Sequence, residues 1–188
     1  MIICIIGMPG SGKSIAAEAI EKMGFKKIEM GDIVRDKLKR KNIEVTNQSL
    51  REFALQIRKQ YGKDIVAKWT TKYIGSRRGN LLIVGIRNSE ELDYFRKKFK
   101  DVYMILITAP ARIRYMRMKA RKRADDPKNF RDFVYRERKE ALFGIRGAIS
   151  DADYIISNVG DEKTFKNDVR SLVKSICIRY PKRQRGSC

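Results

Sequence analysis

Histidine is missing from all 188 residues, which removes the commonest metal ligand and the commonest general base together. Three cysteines, Cys4, Cys177 and Cys188, form no C-x-x-C pair. That usage argues against a disulfide frame or a zinc site and fits a reduced, cytoplasmic protein. No apolar run approaches the roughly 20 residues that cross a bilayer. Nothing basic precedes the apolar stretch Ile2–Ile6, so neither a membrane span nor a secretory leader is expected. Acidic residues are also scarce, 22 against 43 basic ones, for a formal charge of +21. A field of that sign implies anionic partners, whether nucleotides, phosphorylated metabolites or nucleic acid. It is also the surface a heat-adapted protein carries. With 43% hydrophobic and 35% charged residues, the chain has the makings of one folded domain with small insertions.

Short apolar runs alternate with helical patterns. Ile2–Ile6 is followed by a glycine-rich turn and by Ser14–Met23, rich in alanine and isoleucine, with Gly24 placed to stop it. Phe25–Met30, Leu81–Val84, Val102–Thr108 and Tyr154–Ser157 read as further strands. Thr46 is placed to cap a helix whose apolar face is Leu50, Phe53, Ala54 and Ile57, ended by Gly62. A last helix presents Phe165, Val169, Leu172, Val173 and Ile176. Unbroken apolar strands alternating with helices predict a three-layer α/β/α fold around a five-stranded parallel sheet. Two stretches fall outside the alternation: residues 31–79, helical with no strand between, and the highly charged residues 122–146. Both suit a substrate flap or lid on a single domain.

Gly7-Met8-Pro9-Gly10-Ser11-Gly12-Lys13-Ser14 matches the Walker A pattern at each fixed position. Glycines let successive N–H groups turn inward on phosphate oxygens, and the following helix adds its positive end. Lys13 is expected on the β- and γ-phosphates of ATP, and the Ser14 hydroxyl on Mg²⁺. An apolar strand before and a helix after give the pattern its proper setting.

Further segments resemble nucleoside monophosphate kinases and dephospho-CoA kinases, in the expected order. Met30-Gly31-Asp32-Ile33-Val34-Arg35 is similar to the acceptor-gripping segment of adenylate kinases. Gly85-Ile86-Arg87 resembles the family motif with a second such arginine. Arg123-Ala124-Asp125-Asp126, with Arg136 beyond it, resembles the lid and the helix leaving it. Ala152 to Gly160 looks like the last strand and adenine-side loop. The likeness runs to about residue 175 and extends to archaeal adenylate-kinase-related proteins. It implies a P-loop kinase with a helical acceptor-binding insertion at 31–79 and a lid at 122–146. It implies catalytic roles for Lys13, Asp32, Arg123 and Arg136, with Arg117 and Arg121 as substitutes in the lid. Gly31, Asp32, Arg35 and Arg87 would bind the acceptor, and Asn158 and Gly160 the nucleotide. Guanidinium forks suit phosphoryl transfer, which is mostly positioning and charge neutralisation.

The chain departs from that family in several places: Ile86 and Asn88 stand around Arg87 where the motif has an aromatic and a proline, and the lid lacks cysteines. Val84 stands where adenylate kinases carry an aspartate that orients Mg²⁺-bound water. Asp32 is therefore expected to serve the Mg²⁺ shell if the acceptor is a monophosphate such as AMP. If the acceptor is a hydroxyl, Asp32 is placed to be its base. A third reading makes Asp32 only the N-cap of a helix at 33–40. An RNA-associated protein with slow ATPase activity is a further alternative from the charge. The basic residues, however, are spread along the chain without an RNA-binding signature.

Overall fold

The computed structural model describes residues 1–77, 79–121, 126–142 and 145–179. Its strands are β1 (Ile2–Ile6), β2 (Lys26–Glu29), β3 (Leu81–Val84), β4 (Val102–Thr108) and β5 (Tyr154–Ser157). They form one sheet in the order β2-β3-β1-β4-β5, and each neighbouring pair is parallel. Four strand expectations match to the residue. The second strand is shorter than Phe25–Met30, because Phe25 turns into the core and Met30 already begins a helix.

Every residue of β1 is buried, and alternation sends them to opposite faces. Ile3 and Ile5 pack with Ala16 and Ile20 of α1 (Lys13–Glu21) and with Phe165 and Val169 of α9 (Glu162–Arg179). Ile2, Cys4 and Ile6 join the opposite core. That core is closed by α2 (Met30–Lys39), α3 (Asn47–Tyr61), α4 (Ile65–Ile74), α5 (Ser89–Lys98) and α8 (Ile145–Ser150). Burial drives the Cys4 thiol far above its ordinary range, so this cysteine behaves as an apolar core residue. The remaining helices, α6 (Ala111–Arg121) and α7 (Phe130–Leu142), lie between β4 and α8 in the chain.

Helix ends follow local chemistry. Thr46 caps α3 in a reciprocal capping box with Ser49, and Gly62 ends the helix. The expectation that Asp32 caps a helix at 33–40 is corrected: α2 begins at Met30, with Glu29 in the cap position. Asp32 lies inside the first turn, where a carboxylate favours the helix dipole without capping. Between β2 and β3 the chain is helical, α2 through α4, as the absence of a strand pattern there predicts.

Candidate functional site

The loop from Gly7 to Ser14 leaves the carboxyl end of β1 and enters α1, so its amides meet the positive end of that helix. Three glycines cannot be replaced without cost: a Cβ on Gly7 would lie 2.4 Å from the Ile107 carbonyl oxygen. Gly10 sits at φ +79 with a Cβ position 2.7 Å from the Arg114 carbonyl oxygen. Gly12 sits at φ +105, where a Cβ would lie 2.1 Å from Asn158 Nδ2. These constraints fit a nest that wraps a phosphate chain, and Ser14 is exposed on its rim.

Lys13 folds back across the loop. Its Nζ donates to the carbonyl oxygens of Gly7 (2.7 Å) and Met8 (3.1 Å). Burial lowers its pKa to about 8; Glu140 opposes that shift, and Arg87, Arg121 and Arg114 add to it. An ammonium so strained electrostatically is ready to receive anionic oxygens.

Arg114, Arg117 and Arg121 recur at helical spacing along α6 and so share a face. The Arg114 fork grips Glu137 at 2.5 and 2.6 Å, touches the Pro9 carbonyl at 3.3 Å and lies over the Phe133 ring. Arg117 donates to the carbonyl and the side-chain oxygen of Asn158, both at 3.1 Å. Asn158 in turn donates through Nδ2 to the Ser11 carbonyl at 2.8 Å. A relay of hydrogen bonds therefore ties α6 and the loop after β5 to the glycine loop. Arg121 pairs with Asp126, which Arg136 also approaches at 3.9 Å.

Two cavities open here. The larger, about 640 Å³, is floored by the glycine loop and lined by Lys13, Ser14, Arg117, Arg121 and Asn158. The smaller, about 220 Å³, has an apolar wall from Met30, Val34, Leu50, Ala54 and Val66. Its polar side carries Arg35, Arg51 and Arg58. Gly85, Arg87, Arg136 and Glu140 line both cavities. At that junction Arg87 Nη1 donates to Glu140 Oε2 at 3.0 Å.

Most of the expected residues meet at these cavities. Lys13, Ser14, Asn158, Arg87 and Arg136 line the larger one, and Gly31 and Arg35 the smaller. Asp32 lines neither; it is well exposed and pairs with Arg35. Gly160 also lies off both linings. Arg123 falls outside the described residues.

Three acidic residues escape sequence reasoning. Glu91 is fully buried, pairs with Arg58 at 2.6 Å and accepts from the Arg87 amide at 2.9 Å. Burial raises its pKa, partly countered by Arg58. It therefore sets the backbone from which Arg87 projects. Glu137 and Glu140, at i and i+3 of α7, hold Arg114 and Arg87. The signal available was that spacing, within a segment where charges are too dense to single it out.

A parallel sheet in this order, with this loop at the end of its central strand, defines a P-loop kinase-like protein. The chain belongs to the AAA domain family, whose model matches residues 6–133, and to the archaeal UPF0200 proteins. A UPF0200 protein of Thermococcus gammatolerans is 35% identical over 181 residues, covering 94% of this chain and 95% of the relative. That of Pyrococcus horikoshii is 36% identical over 186 residues, covering 96% and 100%. Among solved structures, TT1252 from Thermus thermophilus superposes with a TM-score of 0.66 at 16% identity, covering 93% of this chain and 97% of its own. Shikimate kinase from Aquifex aeolicus gives 0.52 at 15% identity, covering 95% and 99%. At such identities the likeness establishes the fold. Among the described residues, no helix is long and apolar enough to cross a membrane.

Proposed function

We propose that the protein transfers the γ-phosphoryl group of ATP to a small anionic acceptor. The junction carries this reading: a phosphate-cradling cavity and a smaller cup share Arg87, Arg136 and Glu140. Phosphoryl transfer needs a donor and an acceptor brought into line, with fixed positive charge where they meet.

In this reading the Gly7–Ser14 loop holds the triphosphate, with Met8, Pro9 and Ser11 contributing main chain between the glycines. Lys13 leaves the Gly7 and Met8 carbonyls for the β- and γ-phosphates. The Ser14 hydroxyl, on the rim of the nest, would ligate Mg²⁺, whose charge neutralises phosphate oxygens. Arg136 stabilises the transferring group, joined by Arg123. Arg35 and Gly31, in the insertion of residues 31–79, hold the acceptor together with Arg87, with Asp32 setting the Arg35 fork. Asn158 and Gly160 flank the base, and residues 122–146 form the lid. A cytoplasmic setting suits the sparse cysteines. Nucleic acid is not the favoured partner, because the basic residues are spread along the chain without an RNA-binding signature.

A nucleoside monophosphate such as AMP is the acceptor that the family resemblance supports. A hydroxyl acceptor of the dephospho-CoA type is the second reading, and the position of Glu140 favours it. The donor half is tested by calorimetric titration of MgATP into the wild type and Lys13→Ala. Binding is expected in the first and a loss of at least about 100-fold in the second, with an unchanged circular dichroism spectrum. Equal affinities would refute the assignment of the loop.

A further inference from the structure

Glu140 is held where the two cavities meet, and its place is unusual for a carboxylate. Among the described acidic residues it alone lines both cavities; Glu162 lines only the larger and Asp32 neither. It faces Arg87 at 3.0 Å and is near enough for its charge to be felt at Lys13. β3 ends in the apolar Val84, just before Gly85 at the junction, and offers no carboxylate there. Asp32 is turned to solvent against Arg35. A negative charge at the transfer point opposes an attacking phosphate, whose nucleophilic oxygen is itself anionic. The same charge is what a neutral hydroxyl requires, since its proton must leave as the new bond forms.

We propose that Glu140 is a catalytic residue, the general base for an acceptor hydroxyl, and that the acceptor is an alcohol bearing an anionic group. The anionic group sits among Arg35, Arg51 and Arg87 in the smaller cavity, and the hydroxyl points to the junction. The alcohol oxygen bonds to the γ-phosphorus while its proton passes to a Glu140 carboxylate oxygen. The bond from that phosphorus to the β,γ-bridging oxygen breaks, and its electron pair leaves with ADP. Glu140 then returns its proton to solvent. Arg87 orients the carboxylate through Oε2. The base thus comes from α7, more than fifty residues after the strand end where Val84 lies.

This inference rests on the phosphotransferase reading, and the experiment separates the two. Glu140→Gln keeps the side chain's size and an oxygen to accept from Arg87, so a purely structural tether survives and a base does not. MgATP affinity is measured first for both chains. ADP release is then followed with water alone as the simplest hydroxyl, and with shikimate, dephospho-CoA and ribose 5-phosphate as anionic alcohols. AMP and CMP serve as acceptors that attack through phosphate. We expect MgATP affinity in Glu140→Gln no weaker than in the wild type, since a negative charge beside the nest is removed, and in the wild type stimulation by an anionic alcohol and none by AMP or CMP. In Glu140→Gln, kcat for each hydroxyl reaction should fall at least about 100-fold with KM within about three-fold. Glu140→Asp should recover part of the rate. Conversion of AMP or CMP to its diphosphate faster than any alcohol reacts overturns the proposal. So does ADP release retained in Glu140→Gln, or MgATP binding with no ADP release from any probe. Failure of the wild type to bind MgATP overturns the phosphotransferase reading itself.

Discussion

Replacing Lys13 by methionine isolates the electrostatic strain of the phosphate nest. The folded protein holds the Lys13 ammonium at about 8, against an ordinary value of 10.5. Between those values the unfolded chain carries a proton that the folded chain has released. Unfolding therefore takes up a proton, and stability rises with pH across the window at about 1.4 kcal/mol per unit. Over pH 7 to 10 this one group adds about 2.5 kcal/mol to the wild type, nearly all of it above pH 8. Below pH 8 both states are protonated and the increment is absent. Lys13→Met lacks the titration, while every other ionisable group is common to the two chains. Urea unfolding of both proteins at pH 7, 8, 9 and 10 gives the stability difference at each pH. That difference should move in favour of the wild type by about 2.5 kcal/mol. Parallel stability curves would refute the claim that burial strains this ammonium. Saturating MgATP should shrink the increment in the wild type alone, because triphosphate oxygens favour the charged lysine.

Gly12→Ala and Gly24→Ala form a matched pair, since both glycines have positive φ but only Gly12 faces a neighbour, Asn158 Nδ2. Urea midpoints should show about 1 kcal/mol lost at Gly24 and at least twice that at Gly12; equal costs would show that the Asn158 contact carries no strain. Glu137→Gln leaves the deeply buried Arg114 guanidinium without its ionic partner. It should cost about 3 kcal/mol, whereas Glu90→Gln, which breaks only the exposed pair with Lys63, should cost under about 1 kcal/mol.

Where burial is complete, residue type and spacing suffice to read the structure. β1, β3 and β4 are apolar runs buried on both faces, so their limits coincide with the apolar residues themselves. The glycine loop is legible for a different reason: its backbone conformation restricts residue choice almost as tightly as chemistry does. At the edge strand β2 three of the four residues are exposed, so hydrophobicity carries little information and the limits slip. The start of α2 slips with it, because Met30 is both the last apolar residue of the strand pattern and the first buried residue of the helix.

The polar half of the site was harder to read because its pairings are distant in the chain. Arg114 meets Glu137 across 23 residues, and Arg87 meets Glu140 across 53. On α7, Phe133, Glu137 and Glu140 fall along one side, the spacing that on an ordinary helix would be filled with leucine. Phe133 is buried there, but the next two turns place carboxylates against guanidinium groups. A hydrophobic pattern identifies a helix by what it packs against. α7 packs beside cavities lined with arginine, so its inward residues after Phe133 are charged and the pattern disappears. The same reversal marks Glu140 chemically. A carboxylate on the inner side of a helix, amid a chain of net charge +21, gives up little when paired with arginine but much when an anion enters beside it. Glu137, one turn earlier, has only an arginine to serve; Glu140 differs in lining both cavities, and that position is the ground on which a proton acceptor is proposed there.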